Sequence, residues 1–171
     1  MRLSALLLVA AGLLAAPEAF ADERFDHRGA VGLLLGGGGE YMNGLRSSEL
    51  SAGFRADADV GGTFAIGVDG NELLLLGRGS FGGPAADWSA VFGYRGYFGQ
   101  GRLKTFFDLD AAIHATPFVA AGPRVGFGLQ VEVTQILGIY AGLAAQVGFG
   151  RGIRFDGELV LGVQLRSYLL E

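Results

Sequence analysis

The sequence predicts an all-β fold, an eight-stranded antiparallel up-and-down barrel. Three observations carry that expectation. From about residue 29 the chain alternates apolar with polar or small residues, the period of a strand whose two faces meet different surroundings. Short connections marked by glycine and proline divide this alternation into eight segments. Glycine stands at 31 of 171 residues, far above its usual share and without a collagen period, which fits a strongly curved sheet. An even number of antiparallel strands closes into a barrel with no free edge.

Strand 1, about 29–41, puts Val31, Leu33, Leu35 and Tyr41 on one face and Glu40 with several glycines on the other. Strand 2, about 49–68, is the clearest: Leu50, Phe54, Val60, Phe64 and Ile66 oppose Arg55, Asp57, Asp59 and Thr63. Asp69-Gly70-Asn71 follows as a tight turn. Strand 3, about 72–82, sets Leu73, Leu75 and Phe81 against Glu72, Arg78 and Ser80, and Gly82-Gly83-Pro84 ends it. Strand 4, about 87–98, groups Trp88, Phe92, Tyr94 and Phe98 against Ser89, Arg95 and Tyr97. Strand 5, about 103–115, sets Leu103, Phe107, Leu109 and Ile113 against Lys104, Asp108, Asp110 and His114. Strand 6, about 124–134, opposes Val125, Phe127, Leu129 and Val131 to Arg124, Gln130 and Glu132. Strand 7, about 139–149, carries Ile139, Leu143, Val147 and Phe149 opposite Tyr140, Gln146 and glycines. Strand 8, about 154–169, carries Phe155, Leu159, Leu161 and Leu165 opposite Arg154, Asp156, Glu158, Gln164 and Arg166. Between the strands, loops are expected at about 42–48, 82–87, 116–123 and 150–153 on one side, and turns at 69–71, 99–102 and 134–138 on the other.

Composition narrows the function classes. The chain has no cysteine, so it builds neither a disulfide scaffold nor a thiolate metal site. A net charge of −4 gives no basic footprint for nucleic acid. With 18% charged and 50% apolar residues, the chain is no candidate for disorder. Residues 1–21 have the form of a cleaved secretory signal: Met1-Arg2, an apolar run from Leu3 to Ala16, and Ala19-Phe20-Ala21 before Asp22-Glu23-Arg24. That apolar run is too short to span a bilayer as a helix. Residues 22–171 then form one exported domain, and His27 is expected in water.

The pattern leaves two barrels to choose between. A soluble, lipocalin-like barrel turns its apolar face inward, and a transmembrane barrel turns it outward. The apolar faces hold no Asp, Glu, Lys or Arg. Tyr41, Phe81, Trp88, Phe98, Phe107, Phe149 and Phe155 fall on them near expected strand ends, where membrane-interface aromatics collect. The opposite faces mix charges with glycine, alanine, Leu74, Leu76 and Val91, unlike a hydrated surface. Their charges are of both signs, so an interior salt-bridge network is expected of Arg55, Asp57, Asp59, Arg78, Arg95, Asp108, Asp110, His114, Arg124, Glu132, Glu158 and Arg166. Arg95, Asp108, Asp110 and Arg124 are its expected centre. The transmembrane barrel is the better fit.

The signal-like leader, the eight alternating segments, the aromatic rims and the charged, glycine-rich interior resemble the small eight-stranded outer-membrane β-barrels of the OmpA/OmpX type. The resemblance spans nearly all of 29–169 and rests on pattern rather than on a sharp motif. It implies a bacterial outer-membrane protein, monomeric and porin-like in architecture. It implies as partners the outer-membrane lipids, lipopolysaccharide included, and the barrel assembly machinery and periplasmic chaperones during biogenesis. A non-enzymatic structural or accessory role with a charge-plugged interior is the leading expectation. A narrow ion or small-solute channel, a soluble ligand-binding barrel and a lipid-modifying barrel enzyme are the alternatives.

No catalytic, cofactor or metal site is expected. His114 shares a face with Asp108 and Asp110 and so has the makings of a base or metal ligand, but no serine flanks it in sequence. A hydrogen-bonded histidine at the rim is the simpler expectation. Gly36-Gly37-Gly38-Gly39 lacks the Lys-Ser/Thr and helix of a phosphate loop and fits a bent wall. Thr116-Pro117-Phe118-Val119-Ala120-Ala121 is the most apolar loop, expected at the interface or against a partner.

Overall fold

The structure is a computed structural model that describes residues 30–46, 49–66, 71–82, 86–99, 101–116 and 118–168. The leader at 1–21, His27, Asp69, Gly70 and Pro84 lie outside the described residues. The strands are β1 (Ala30–Arg46), β2 (Glu49–Ile66), β3 (Asn71–Phe81), β4 (Asp87–Phe98), β5 (Leu103–His114), β6 (Ala120–Glu132), β7 (Leu137–Gly150) and β8 (Ile153–Tyr168). Each pairs antiparallel with the next, and β1 pairs with both β2 and β8, closing an eight-stranded barrel. The expected architecture is the observed one.

Two strands run longer than their sequence suggests. β1 continues past Tyr41 to Arg46, because Glu40, Met42 and Gly44 stay inside while Tyr41 and Leu45 stay outside. The alternation therefore survives Asn43 and Gly44, which taken alone signal a turn. β6 begins at Ala120, four residues before Arg124, and holds Pro123 within it. Strand thus takes up residues 42–46 of the expected loop 42–48 and residues 120–123 of the expected loop 116–123. Gly82 (φ 88°) and Gly99 (φ 101°) occupy the left-handed region just past the ends of β3 and β4, where a side chain would be strained.

The two faces settle which barrel this is. Large apolar side chains cover the outside, with Phe54 77%, Leu143 66% and Trp88 62% exposed. Arg55, Arg78, Arg95, Asp108, Arg124, Arg154, Glu158 and Arg166 are buried inside. A soluble barrel has the reverse arrangement, so the lipocalin-like alternative is set aside.

Candidate functional site: an ion-paired lumen

Eight strands enclose a lumen that side chains can fill, and the inward residues fill it in layers. One row of register runs Tyr97, Phe106, Gly128, Gly142, Val160, Gly38, Asp57 and Ser80 around the wall. Because strands tilt in a barrel, such a row climbs from the end that carries Ala30 and Tyr168 to the far end. It passes from polar to apolar and back to polar.

At the terminal end, Arg166 is the hub. Its Nε donates to Glu72 at 3.1 Å, one Nη to Glu132 at 2.7 Å and the other to the Gln164 side chain at 2.6 Å. Gln164 in turn donates to Glu72 at 2.8 Å and Thr63 at 2.9 Å, and Tyr97 donates its hydroxyl to Glu72 at 3.1 Å.

Above this lies an apolar septum of Leu34, Leu74, Leu76, Val91, Phe106, Ala112, Tyr140 and Val160. Phe106 and Tyr140 meet edge to face with centroids 6.3 Å apart. The Arg95 guanidinium lies over both rings, 4.1 Å from the Phe106 centroid and 5.2 Å from that of Tyr140. Glycine makes room for these rings. A β-carbon on Gly36 would stand 2.6 Å from the Tyr140 hydroxyl, and one on Gly142 would stand 3.0 Å from the Phe106 ring. The cavity beside this septum, lined by Leu76, Arg95, Phe106, Asp108, Arg124 and Tyr140, holds about 10 Å³.

Beyond the septum the expected centre is assembled. Arg95 grips Asp108 with two bonds of 2.7 and 2.8 Å. Arg124 donates to Asp110 at 2.6 Å and to Glu158 at 2.8 and 3.0 Å. Glu158 also meets Arg78 at 2.7 Å, and Arg78 holds Asp59 with bonds of 2.7 and 3.0 Å. Planar guanidinium forks on carboxylates suit a desolvated lumen. Asp57 is half-buried on the same inner face, with one carboxylate oxygen unpartnered. Arg55 stands apart from Asp57 and Asp59: its guanidinium donates to the Met42 sulfur at 3.2 Å and lies 3.7 Å from Asp87.

The far mouth has a hub that the sequence reading undervalued. Arg154 is 0% exposed and donates to Glu40 at 2.5 Å, Asp87 at 2.5 Å, Asp156 at 2.7 Å and the Thr116 carbonyl at 3.0 Å. Asp87, the first residue of β4, also pairs with His114 Nδ1 at 2.7 Å. His114 therefore pairs with Asp87 rather than with Asp108 or Asp110. Ser89 stands directly opposite His114 in register, its hydroxyl unpartnered. The other imidazole nitrogen is taken by the Gln146 amide, so neither ring nitrogen is left free to accept a serine proton. Phe118 turns inward and is buried, while Val119 stays exposed.

Of the expected interface aromatics, Phe81 and Trp88 pack edge to face at 6.0 Å beside the far rim. Phe149 and Phe155 lie on the outer face at the same end, and Phe98 lies at the terminal end. Tyr41 pairs with Phe54 at 4.9 Å, five residues inside β1 because that strand is longer than expected. Phe107 stands four residues inside β5 opposite Phe127, deeper in the wall.

Solved structures share this fold. The N-terminal β-barrel domain of Pseudomonas aeruginosa OprF matches with a TM-score of 0.58 at 15% identity, covering 81% of this chain and 98% of that one. A de novo designed transmembrane β-barrel matches with a TM-score of 0.56 at 10% identity, covering 81% and 96%. The fold is that of a small transmembrane β-barrel. Neisserial surface protein A matches this barrel with a TM-score of 0.53 at 17% identity, covering 81% and 99%. No protein-family model matches the chain, and no curated protein matches it in sequence. At these identities the likeness is one of fold.

Proposed function

We propose that this transmembrane barrel belongs to a bacterial outer membrane. Its role is non-enzymatic, structural or accessory, and its own side chains seal its lumen. The observation that carries the reading is the filled interior. Ion-paired layers lie on both sides of an apolar septum, and the cavity beside the septum, about 10 Å³, is at the lower limit for one water molecule. The leader pattern in residues 1–21 and the likeness in fold to a bacterial surface protein support the address. On this reading the partners are outer-membrane lipids, lipopolysaccharide among them, and the assembly machinery and chaperones that deliver a monomeric barrel.

Two measurements on detergent-refolded protein test it. The folded barrel is expected to migrate differently on SDS gels before and after boiling, and to leave a planar bilayer at its baseline conductance. Steady single-channel currents would turn the reading into that of a narrow channel. A monodisperse, folded protein in plain buffer would remove the membrane altogether.

A further inference from the structure

Two arginines share the far mouth, and Arg154 takes its carboxylates. Glu40 stands opposite Arg55 in register, yet it accepts from Arg154 and from Ser80. Asp156 accepts from the Arg154 Nε and from Gln146. Asp87 accepts from Arg154 and Thr116, pairs with His114, and lies 3.7 Å from Arg55, beyond hydrogen-bond reach. Among the described residues, Arg55 therefore has no carboxylate hydrogen-bonded to it, although its side chain is 0% exposed. Its Nε and Nη1 have no partner. Its one bond runs from Nη2 to the Met42 sulfur at 3.2 Å.

A thioether sulfur is a weak acceptor. A buried guanidinium that must rely on it keeps most of its desolvation cost. Met42 is itself 0% exposed and stands on the inner face of β1, opposite Gly53 of β2 and Asp156 of β8. Gly53, and Gly44 next along the inner face of β1, bring no side chain to crowd the sulfur. The site has a buried cation, idle donors and a sulfur already in contact with it. What it lacks is a strong acceptor at that sulfur. Transfer of one oxygen atom to the sulfur supplies it and leaves every other bond of the mouth in place.

We propose that Met42 is an oxidation site, where a peroxide-type oxidant forms the sulfoxide and Arg55 receives it. Hydrogen peroxide transfers one oxygen to Sδ: its O–O bond breaks, an S–O bond forms, and water leaves. The sulfur gives up two electrons and the peroxide takes them. The sulfoxide oxygen then accepts from the Arg55 guanidinium, a charge-assisted bond. Methionine sulfoxide in a packed interior ordinarily disrupts it. Here the sign is reversed, and the oxidised mouth is held more tightly than the reduced one. Because the sulfur is buried, the oxidant reaches it only during local openings of the mouth, and the reaction runs more slowly than that of free methionine.

Hydrogen peroxide treatment of the detergent-refolded barrel tests it. Peptide mass mapping places the added oxygen, and the urea concentration that abolishes the heat-dependent gel shift measures stability. Met42 is the only methionine after Met1, so one oxygen on its peptide reports the site. The folded barrel is expected to take up that oxygen and then to unfold at higher urea. Its unfolding constant should fall at least about tenfold, the scale of one hydrogen bond to a charged group. Met42→Gln brings a carbonyl oxygen to the same place and needs no oxidant. It is expected to match the oxidised wild type, whereas Met42→Leu shows no gain. In an Arg55→Leu background, peroxide and Met42→Gln should each lower stability. If Arg55→Leu does not refold, the comparison of Met42→Gln with Met42→Leu still decides. The inference is overturned if Met42 stays unmodified in the folded barrel. It is equally overturned if the oxidised barrel or Met42→Gln is no more stable than the untreated wild type, or if the gain persists without Arg55.

Discussion

Arg124 reaches from β6 to Asp110 on β5 and Glu158 on β8, and its guanidinium gives both buried carboxylates a counter-charge. Removing one member of a buried pair leaves its partners uncompensated, at a cost of about 3–5 kcal/mol. Arg124→Ala is therefore expected to lower stability by about that much. Urea unfolding in micelles, followed by the fluorescence of the single tryptophan, Trp88, measures it. Arg151, exposed in the turn between β7 and β8, supplies the contrast: Arg151→Ala should leave the midpoint where it was. A loss of less than about 1 kcal/mol for Arg124→Ala would mean that water reaches these carboxylates. The same logic applies to Asp108 with Asp110. Their joint replacement by alanine strands Arg95 and leaves Arg124 with Glu158 alone, and the barrel should lose resistance to unfolding by the same assay.

At the scale of the strand, inward aromatics lie against glycines on neighbouring strands. Tyr140 of β7 lies against Gly162 of β8 and Gly36 of β1; Phe106 of β5 lies against Gly128 of β6 and Gly142 of β7. The sequence shows the glycines and shows the aromatics, but which glycine makes room for which ring depends on register across three strands. Register is a property of the closed barrel, and no short window of sequence contains it. The same limit explains Asp87 and Arg154. Their bond joins β4 to β8, 67 residues apart, whereas Arg95–Asp108 and Arg124–Asp110 join strands adjacent in the chain and could be read from alternation alone. Asn43-Gly44 and Pro123 hid strand for a different reason: the turn preference of Asn43-Gly44 yields to pairing with both β2 and β8, and that of Pro123 to pairing with β5. The Tyr140 packing gives a test by double-mutant cycle. Gly162→Val should cost about 1–3 kcal/mol by overpacking against the Tyr140 hydroxyl. In a Tyr140→Ala background that cost should shrink by at least about 0.5 kcal/mol. Additive losses would mean that the two side chains do not meet.

Across the whole molecule, two charged layers are held apart by the septum. The arrangement answers a conflict built into a small membrane barrel. The outside must be apolar for lipid, so the polar residues that keep the alternation must go inside, where water is scarce. Ion pairing satisfies them, and Leu34, Leu74, Leu76, Phe106 and Tyr140 fill the section between the pairs. Charge pairing alone does not make a seal, because a hydrated ion can exchange places with a paired one; an apolar section that excludes water can. Phe106→Ala combined with Tyr140→Ala removes the two rings but keeps every charge. This variant is expected to retain the heat-dependent gel shift of a closed barrel and to acquire a small conductance in planar bilayers, above the baseline expected of the wild type. A closed but silent double variant would assign the seal to the ion pairs, and Arg95→Met in that background would then be the change that opens the lumen.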